Sequence, residues 1–223
     1  MSSLLKDKAL FIDFDSTFVK VETIDELAKF CLKYDSDADN KVKMISDITN
    51  QAMSGEIDFP SALDSRLSIL SLTRNDVIDV SKKISTLISD SIMDHHKLIK
   101  DMSGSIWILS GGFTEVIYPV VSKFGIKHDH IIANSFVYKN NMVIGCDKEN
   151  DLFKDNGKSR AINRLNLNKE IIMVGDGYTD YETYKNGAVD IFICYTENIH
   201  RKDVAEKSDY IANNFNEVIN IIT

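Results

Sequence analysis

An α/β fold, a doubly wound and mostly parallel sheet with a helical segment inserted near its start, is what this sequence predicts. Short apolar runs recur at Ala9-Leu10-Phe11-Ile12, Ile106-Trp107-Ile108-Leu109 and Ile171-Ile172-Met173-Val174. Each has strand length and passes at once into acidic residues or glycine, as buried strands do where they end at a ligand-binding sheet edge. Segment 18–87 instead sets Leu27, Phe30, Cys31 and Tyr34 at helical spacing and is too long for a loop. With 223 residues, 43% of them hydrophobic, the chain can bury one good core plus a small accessory domain, and two prolines and ten glycines argue against a low-complexity chain.

In order along the chain, residues 1–17 and 88–223 are expected to form the core, with strands near Ala9, Ile106, Ile131, Ile171 and Ile191. Residues 18–87 are expected to form a helical cap whose two crossings act as hinges. A helix is expected over 115–123. Segment 135–146 alternates apolar residues around Asn140-Asn141 and predicts a small hairpin.

Asp13 and Asp15 follow the first strand in Asp13-Phe14-Asp15-Ser16-Thr17. Strand alternation would point both to one side with Phe14 buried on the other. Two carboxylates about 4 Å apart at an effective dielectric near 20 repel by roughly 4 kcal/mol, which a shared proton or a divalent cation relieves. The competing explanation is a plain turn, with Ser16 and Thr17 bonding to backbone amides. A second acidic cluster, Gly175-Asp176-Gly177-Tyr178-Thr179-Asp180, follows the strand at Ile171 and would place Asp176 and Asp180 across the same crevice. Converging carboxylates favour oxygen ligation of a hard ion, and Mg2+ with retained waters fits best. Ser110-Gly111-Gly112-Phe113-Thr114, a glycine turn leading into a helix, has phosphate-binding character. In Asn156-Gly157-Lys158-Ser159 a lysine supplies a point cation for phosphate.

The remaining composition narrows the function classes. A formal charge of -8 without a basic stripe disfavours nucleic acid and anionic membrane as partners. Cys31, Cys146 and Cys194 have no metal or redox spacing, as expected of reduced cytosolic thiols, and the adjacent His95 and His96 are given no role. Leu4-Leu5 is followed by Lys6, Asp7 and Lys8, unlike a signal peptide, and no apolar run approaches the roughly 20 residues of a membrane span. A cytoplasmic chain is expected.

Taken together, the order DxDST, SGG, GK and GDGYTD resembles the four motifs of the haloacid dehalogenase-like phosphohydrolases. Within that superfamily the chain is similar to the phosphoserine phosphatase family through 21–28, 52–59, 63–67, 110–113 and 195–198, nearly its whole length. The resemblance implies that Asp13 is the nucleophile, forming an aspartyl-phosphate, and that Asp15 is general acid and then base. It implies Mg2+ held by Asp13, the backbone carbonyl of Asp15, and Asp176, with Asp180 in support of the metal waters or the lysine. Ser110, Gly111, Gly112 and Lys158 would hold the phosphoryl oxygens, and Thr179 would add a hydrogen bond to phosphate or substrate. Glu22 would receive the substrate ammonium and Arg66 its carboxylate, while Met53 and Phe59 would close the cap over the site. Taken apart from the family, Glu22 is an acid at a helix start and Arg66 a solvated helix residue.

The third motif departs from many relatives, in which lysine precedes the glycine; here Asn156 stands there and Lys158 comes after, with Lys154 a possible substitute. The substrate implied is a small phosphomonoester, O-phosphoserine first, with phosphoethanolamine, phosphocholine or a sugar phosphate as alternatives. A phospho-accepting receiver domain is the alternative from another class, although receivers place the phosphorylated aspartate on a later strand and lack the long insert.

Overall fold

The computed structural model describes residues 5–223; residues 1–4, the start of the expected core segment and including Leu4, lie outside the described residues. Strand β1 (Lys8–Ile12) is followed by helices α1 (Thr23–Cys31), α2 (Ala38–Ser54), α3 (Phe59–Ile69) and α4 (Arg74–Ile84). Short helices α5 (Asp90–Asp94) and α6 (His96–Met102) lead to β2 (Ile106–Phe113), α7 (Thr114–Val121) and β3 (Ile131–Asn134). Then come β4 (Phe136–Lys139), β5 (Met142–Cys146), α8 (Gly157–Leu165), β6 (Glu170–Gly175), α9 (Tyr178–Lys185), β7 (Ile191–Tyr195), α10 (Lys202–Ala205), β8 (Tyr210–Ala212) and α11 (Phe215–Ile222).

The main sheet has six strands in the order β3-β2-β1-β6-β7-β8, all paired in parallel. Strand β1 lies between β2 and β6, where the winding reverses, and the crevice at such a reversal is where open α/β sheets bind ligands. Alternating strand residues feed two cores. Leu10, Ile12, Ile108 and Val174 pack with Val116, Val120 and Phe215 on one face. Phe11, Leu109 and Met173 pack with Ala161, Ile162 and Val204 on the other. Because both faces are covered, the strands read as continuous apolar runs.

The hairpin forms at the expected place. Asn140 and Asn141 both take positive φ, 49° and 69°, which a two-residue hairpin turn requires and asparagine tolerates. It is a separate two-stranded sheet, and its outer edge receives the insert: Val143 donates to Leu72 O at 2.8 Å and Arg74 to Asn141 O at 2.9 Å.

The two crossings of the insert pair with each other, Val19 bridging Ile88 and Lys20 donating to Leu87 O at 2.8 Å. Helix α4 packs on α7 in the first core, and Ser81 Oγ donates to Val116 O at 3.0 Å. Thr73 caps α4 reciprocally with Asp76, satisfying donors that would otherwise be orphaned at the helix start.

Candidate active site

Strand β1 stops at Ile12 and gives way to a tight turn over Phe14–Phe18 in which Ser16 takes φ 53°. Phe14 is fully buried, and Asp13 and Asp15 line one cavity, Asp13 reaching Lys158 of α8 while Asp15 Oδ1 accepts from Thr23 N at the start of α1.

Asp13 Oδ1 accepts from its neighbour Phe14 N at 2.7 Å and lies 3.0 Å from Lys158 Nζ. Lys158 also reaches Asp180 Oδ1 at 2.6 Å, and Asp180 Oδ2 accepts from Gly177 N at 3.0 Å. Asp176 accepts from Thr17 Oγ1 at 3.1 Å and from Arg201 Nε at 2.9 Å. Lys154, the possible substitute, points instead to Glu149 on the surface.

Carboxylate oxygens of Asp13, Asp176 and Asp180 all lie within 4.8 Å of one another. Burial, with Asp180 beside it, pushes the Asp13 carboxyl up to about 7 despite Lys158. Burial likewise raises Asp176 against Arg201, and Asp180 against Lys158. Burial would depress Lys158, but Asp13 and Asp180 outweigh it and hold the ammonium charged. The acids exceed their cations, and the donors are hard oxygens, so the cluster suits a divalent ion.

Space rather than φ favours glycine at these positions. A Cβ at Gly175 would lie 2.3 Å from Asp180 Cγ, one at Gly111 2.4 Å from Phe59 Cζ, and one at Gly177 3.0 Å from Met53 Sδ. Phe59 and Met53, from α3 and α2, thus rest on the two glycine turns of the core. They enclose a cavity of about 30 Å3 lined by Asp15, Glu22, Arg66, Ser110, Lys158 and Thr179. A larger cavity of about 380 Å3 opens outward past Phe59, Lys154 and Tyr178. Strand β2 runs on through Gly111 and Gly112 with a break in register, where the sequence suggests a strand ending at Leu109. Ser110 Oγ accepts from Gly112 N at 3.0 Å, and Asn134 Nδ2 donates to Gly111 O at 2.9 Å.

Glu22 accepts from Ser16 Oγ at 2.7 Å, and burial with Asp176 nearby raises its carboxyl to about 7. Arg66 is 3% exposed, so it is no solvated helix residue. Its Nε donates to Ala62 O at 3.1 Å and Nη1 to Thr49 Oγ1 at 3.0 Å; among the described residues it makes no ion pair within 4.0 Å. Burial lowers its pKa while Glu22, Asp25 and Asp15 oppose the shift.

Arg201 is absent from the sequence expectation. It sits just before α10, ties Asp176 to Glu22 at 2.9 and 3.4 Å, and reaches Asn50 of α2 at 3.4 Å. The available signal was its place in the loop beyond β7, at the carboxyl edge of the sheet.

An aspartate at the switch point, a glycine turn after the neighbouring strand, a lysine and an acidic turn after the next strand define a class. The chain belongs to the haloacid dehalogenase-like hydrolases, whose sequence profile it matches over residues 10–185. Within that family its similarity runs to phosphoserine phosphatases. It is 33% identical over 217 residues to the chloroplastic phosphoserine phosphatase of Arabidopsis thaliana, covering 96% of this chain and 71% of that one. A phosphoserine phosphohydrolase-like protein from Francisella tularensis superposes with a TM-score of 0.88 at 32% identity, covering 97% and 100% of the two chains. A phospho-aspartyl intermediate analogue of phosphoserine phosphatase superposes with a TM-score of 0.78 at 25% identity, covering 97% and 99%. This membership sets the receiver-domain alternative aside. No described helix is long and apolar enough to cross a membrane.

Proposed function

We infer that this chain is a phosphatase that hydrolyses O-phosphoserine to serine and phosphate through an aspartyl-phosphate on Asp13. The observation that carries the chemistry is Lys158 Nζ standing 3.0 Å from Asp13 and 2.6 Å from Asp180 at the switch point. A fixed cation beside the attacking carboxylate lets an anionic substrate approach it. Asp13 displaces serine from phosphorus, Asp15 protonates the departing oxygen, and Asp15 then takes the proton of the water that cleaves the aspartyl-phosphate. Ser110, Gly111, Gly112, Lys158 and Thr179 orient the phosphoryl oxygens. The cluster suits Mg2+, which Asp13, Asp176 and the Asp15 carbonyl would hold with Asp180 in support; bound there, it would offset the negative charge shared by nucleophile and phosphate.

Substrate choice follows from Arg66 and Glu22, which line one small cavity with opposite charge. A buried arginine that makes no ion pair within 4.0 Å among the described residues suits the substrate carboxylate, and Glu22 suits the ammonium. Phosphoethanolamine and phosphocholine lack the first group and sugar phosphates lack both, so they bind less well. Residues 18–87 act as the cap. A 30 Å3 cavity holds little more than a water or two, so phosphoserine enters only after Phe59 and Met53 lift from Gly111 and Gly177. Free thiols at Cys31, Cys146 and Cys194 support a reducing, cytoplasmic setting.

Borohydride trapping during turnover tests this reading. Reduction should mark the peptide containing Asp13 and no other; a label elsewhere, or none with turnover intact, contradicts the mechanism.

A further inference from the structure

We propose that Thr23 is a positioning residue for Asp15, fixing which carboxylate oxygen delivers the proton to the leaving group. The proposal rests on the phosphatase reading above and adds a residue to it.

Thr23 is the first residue of α1 and 1% exposed. Its backbone N donates to Asp15 Oδ1 at 3.0 Å, and its Oγ1 donates to the same oxygen. Two donors occupy the two lone pairs of Oδ1. The transferable proton is therefore confined to Oδ2, the oxygen on the side of the phosphate turn, 3.3 Å from where a Cβ on Gly112 would stand. As the P–O bond breaks, its electron pair passes to the serine oxygen, which takes the Oδ2 proton and leaves Asp15 as carboxylate. In the second step water gives hydroxide to phosphorus and its proton to Oδ2, and Asp13 is released with its charge restored.

Because Thr23 belongs to the first helix of the insert, this orientation exists only while α1 sits against the nucleophile turn. Cap placement and proton delivery are thus joined through one side chain. The backbone donor survives any substitution except proline, so the hydroxyl is what the variants below remove.

The test compares kcat/KM for phosphoserine and acetyl phosphate in wild type, Thr23→Val, Thr23→Ala and Thr23→Ser. This parameter reports steps through the first phosphoryl transfer, and acetate departs without needing a proton. General acid catalysis contributes about 100- to 10,000-fold. Losing one of two orienting bonds should cost about tenfold or more on phosphoserine and under about threefold on acetyl phosphate, with serine within about twofold of wild type. Equal losses on both substrates in the valine and alanine variants, or no loss on phosphoserine, overturn the proposal. Absence of wild-type turnover on phosphoserine would instead overturn the substrate reading, and acetyl phosphate turnover would still report a folded nucleophile site.

Discussion

Replacing Arg66 with alanine tests the proposed role of this group in distinguishing an amino-acid phosphate from its decarboxylated analogue. Bonds to Ala62 O and Thr49 Oγ1 hold the guanidinium flat in its pocket, which leaves about three of its five N–H donors for a ligand. A hydrogen bond to a charged group contributes roughly 1.5–3 kcal/mol, and a carboxylate takes two from such a fork. Discounting for the water each partner gives up, the pair contributes about 3 kcal/mol, or roughly a hundredfold in affinity. In phosphoserine the carboxylate is separated from phosphorus by the Cβ and Cα carbons, so its binding should be alike in ground and transition states, and the loss should fall on KM and leave kcat nearly unchanged. Steady-state phosphate release on phosphoserine and phosphoethanolamine reads both parameters. The expected result is a KM for phosphoserine raised about a hundredfold with phosphoethanolamine changed less than threefold. Equal losses on the two substrates refute the assignment of Arg66 to the carboxylate.

Gly111→Ala places a methyl 2.4 Å from the Phe59 ring; overpacking of this kind costs roughly 1–3 kcal/mol, so kcat/KM should fall about tenfold or more, and Phe59→Leu in the same chain should recover part of it. Arg201→Met leaves Asp176 and Glu22 without their shared cation; breaking a buried pair costs about 3–5 kcal/mol, so the metal-free melting temperature should fall and added Mg2+ should restore part of it. Asp13 and Glu22 have carboxyls raised to about 7 in the fold, against unfolded values near 4. Between those limits the native state binds more protons than the unfolded one, so metal-free stability falls as pH rises from about 4 to 7. Cation binding competes with those protons, so the Mg2+-induced rise in melting temperature should grow over the same window; a shift that shrinks with pH contradicts the acidic cluster as the cation site. Asp13→Asn should abolish turnover while leaving the fold intact by circular dichroism.

Much of this architecture is legible in the sequence because both faces of the sheet are covered, so β1, β2, β3, β6 and β7 stand out as apolar runs. Strand β8 escapes: Tyr210–Ala212 is three residues long and half-exposed at the sheet edge, too short for any period to show. The Asn140-Asn141 turn was readable since two consecutive positive φ angles leave few residue choices. The acids and Lys158 fall together as their motifs suggest, because each comes directly after a strand end or helix start whose position the core fixes. The tight turn over Phe14–Phe18 was not readable, as nothing in the sequence marks Ser16 for a positive φ. Nor was the crowding at Gly175 and Gly177, where Asp180 and Met53 press on the turn, because it comes from residues distant in the chain or folded back by a helix. Arg201 was missed for a related reason: one charged residue in a loop carries no pattern, and its partners Asp176 and Glu22 lie 25 and 179 positions away.

Phosphate release measured with Mg2+ and again in EDTA, across L-phosphoserine, phosphothreonine, phosphoethanolamine, phosphocholine and sugar phosphates, tests the central claim most directly. The account predicts turnover that is abolished by EDTA and that prefers phosphoserine by at least the roughly hundredfold assigned to Arg66 over phosphoethanolamine. Equal turnover of phosphoserine and phosphoethanolamine, or activity indifferent to EDTA, would contradict it.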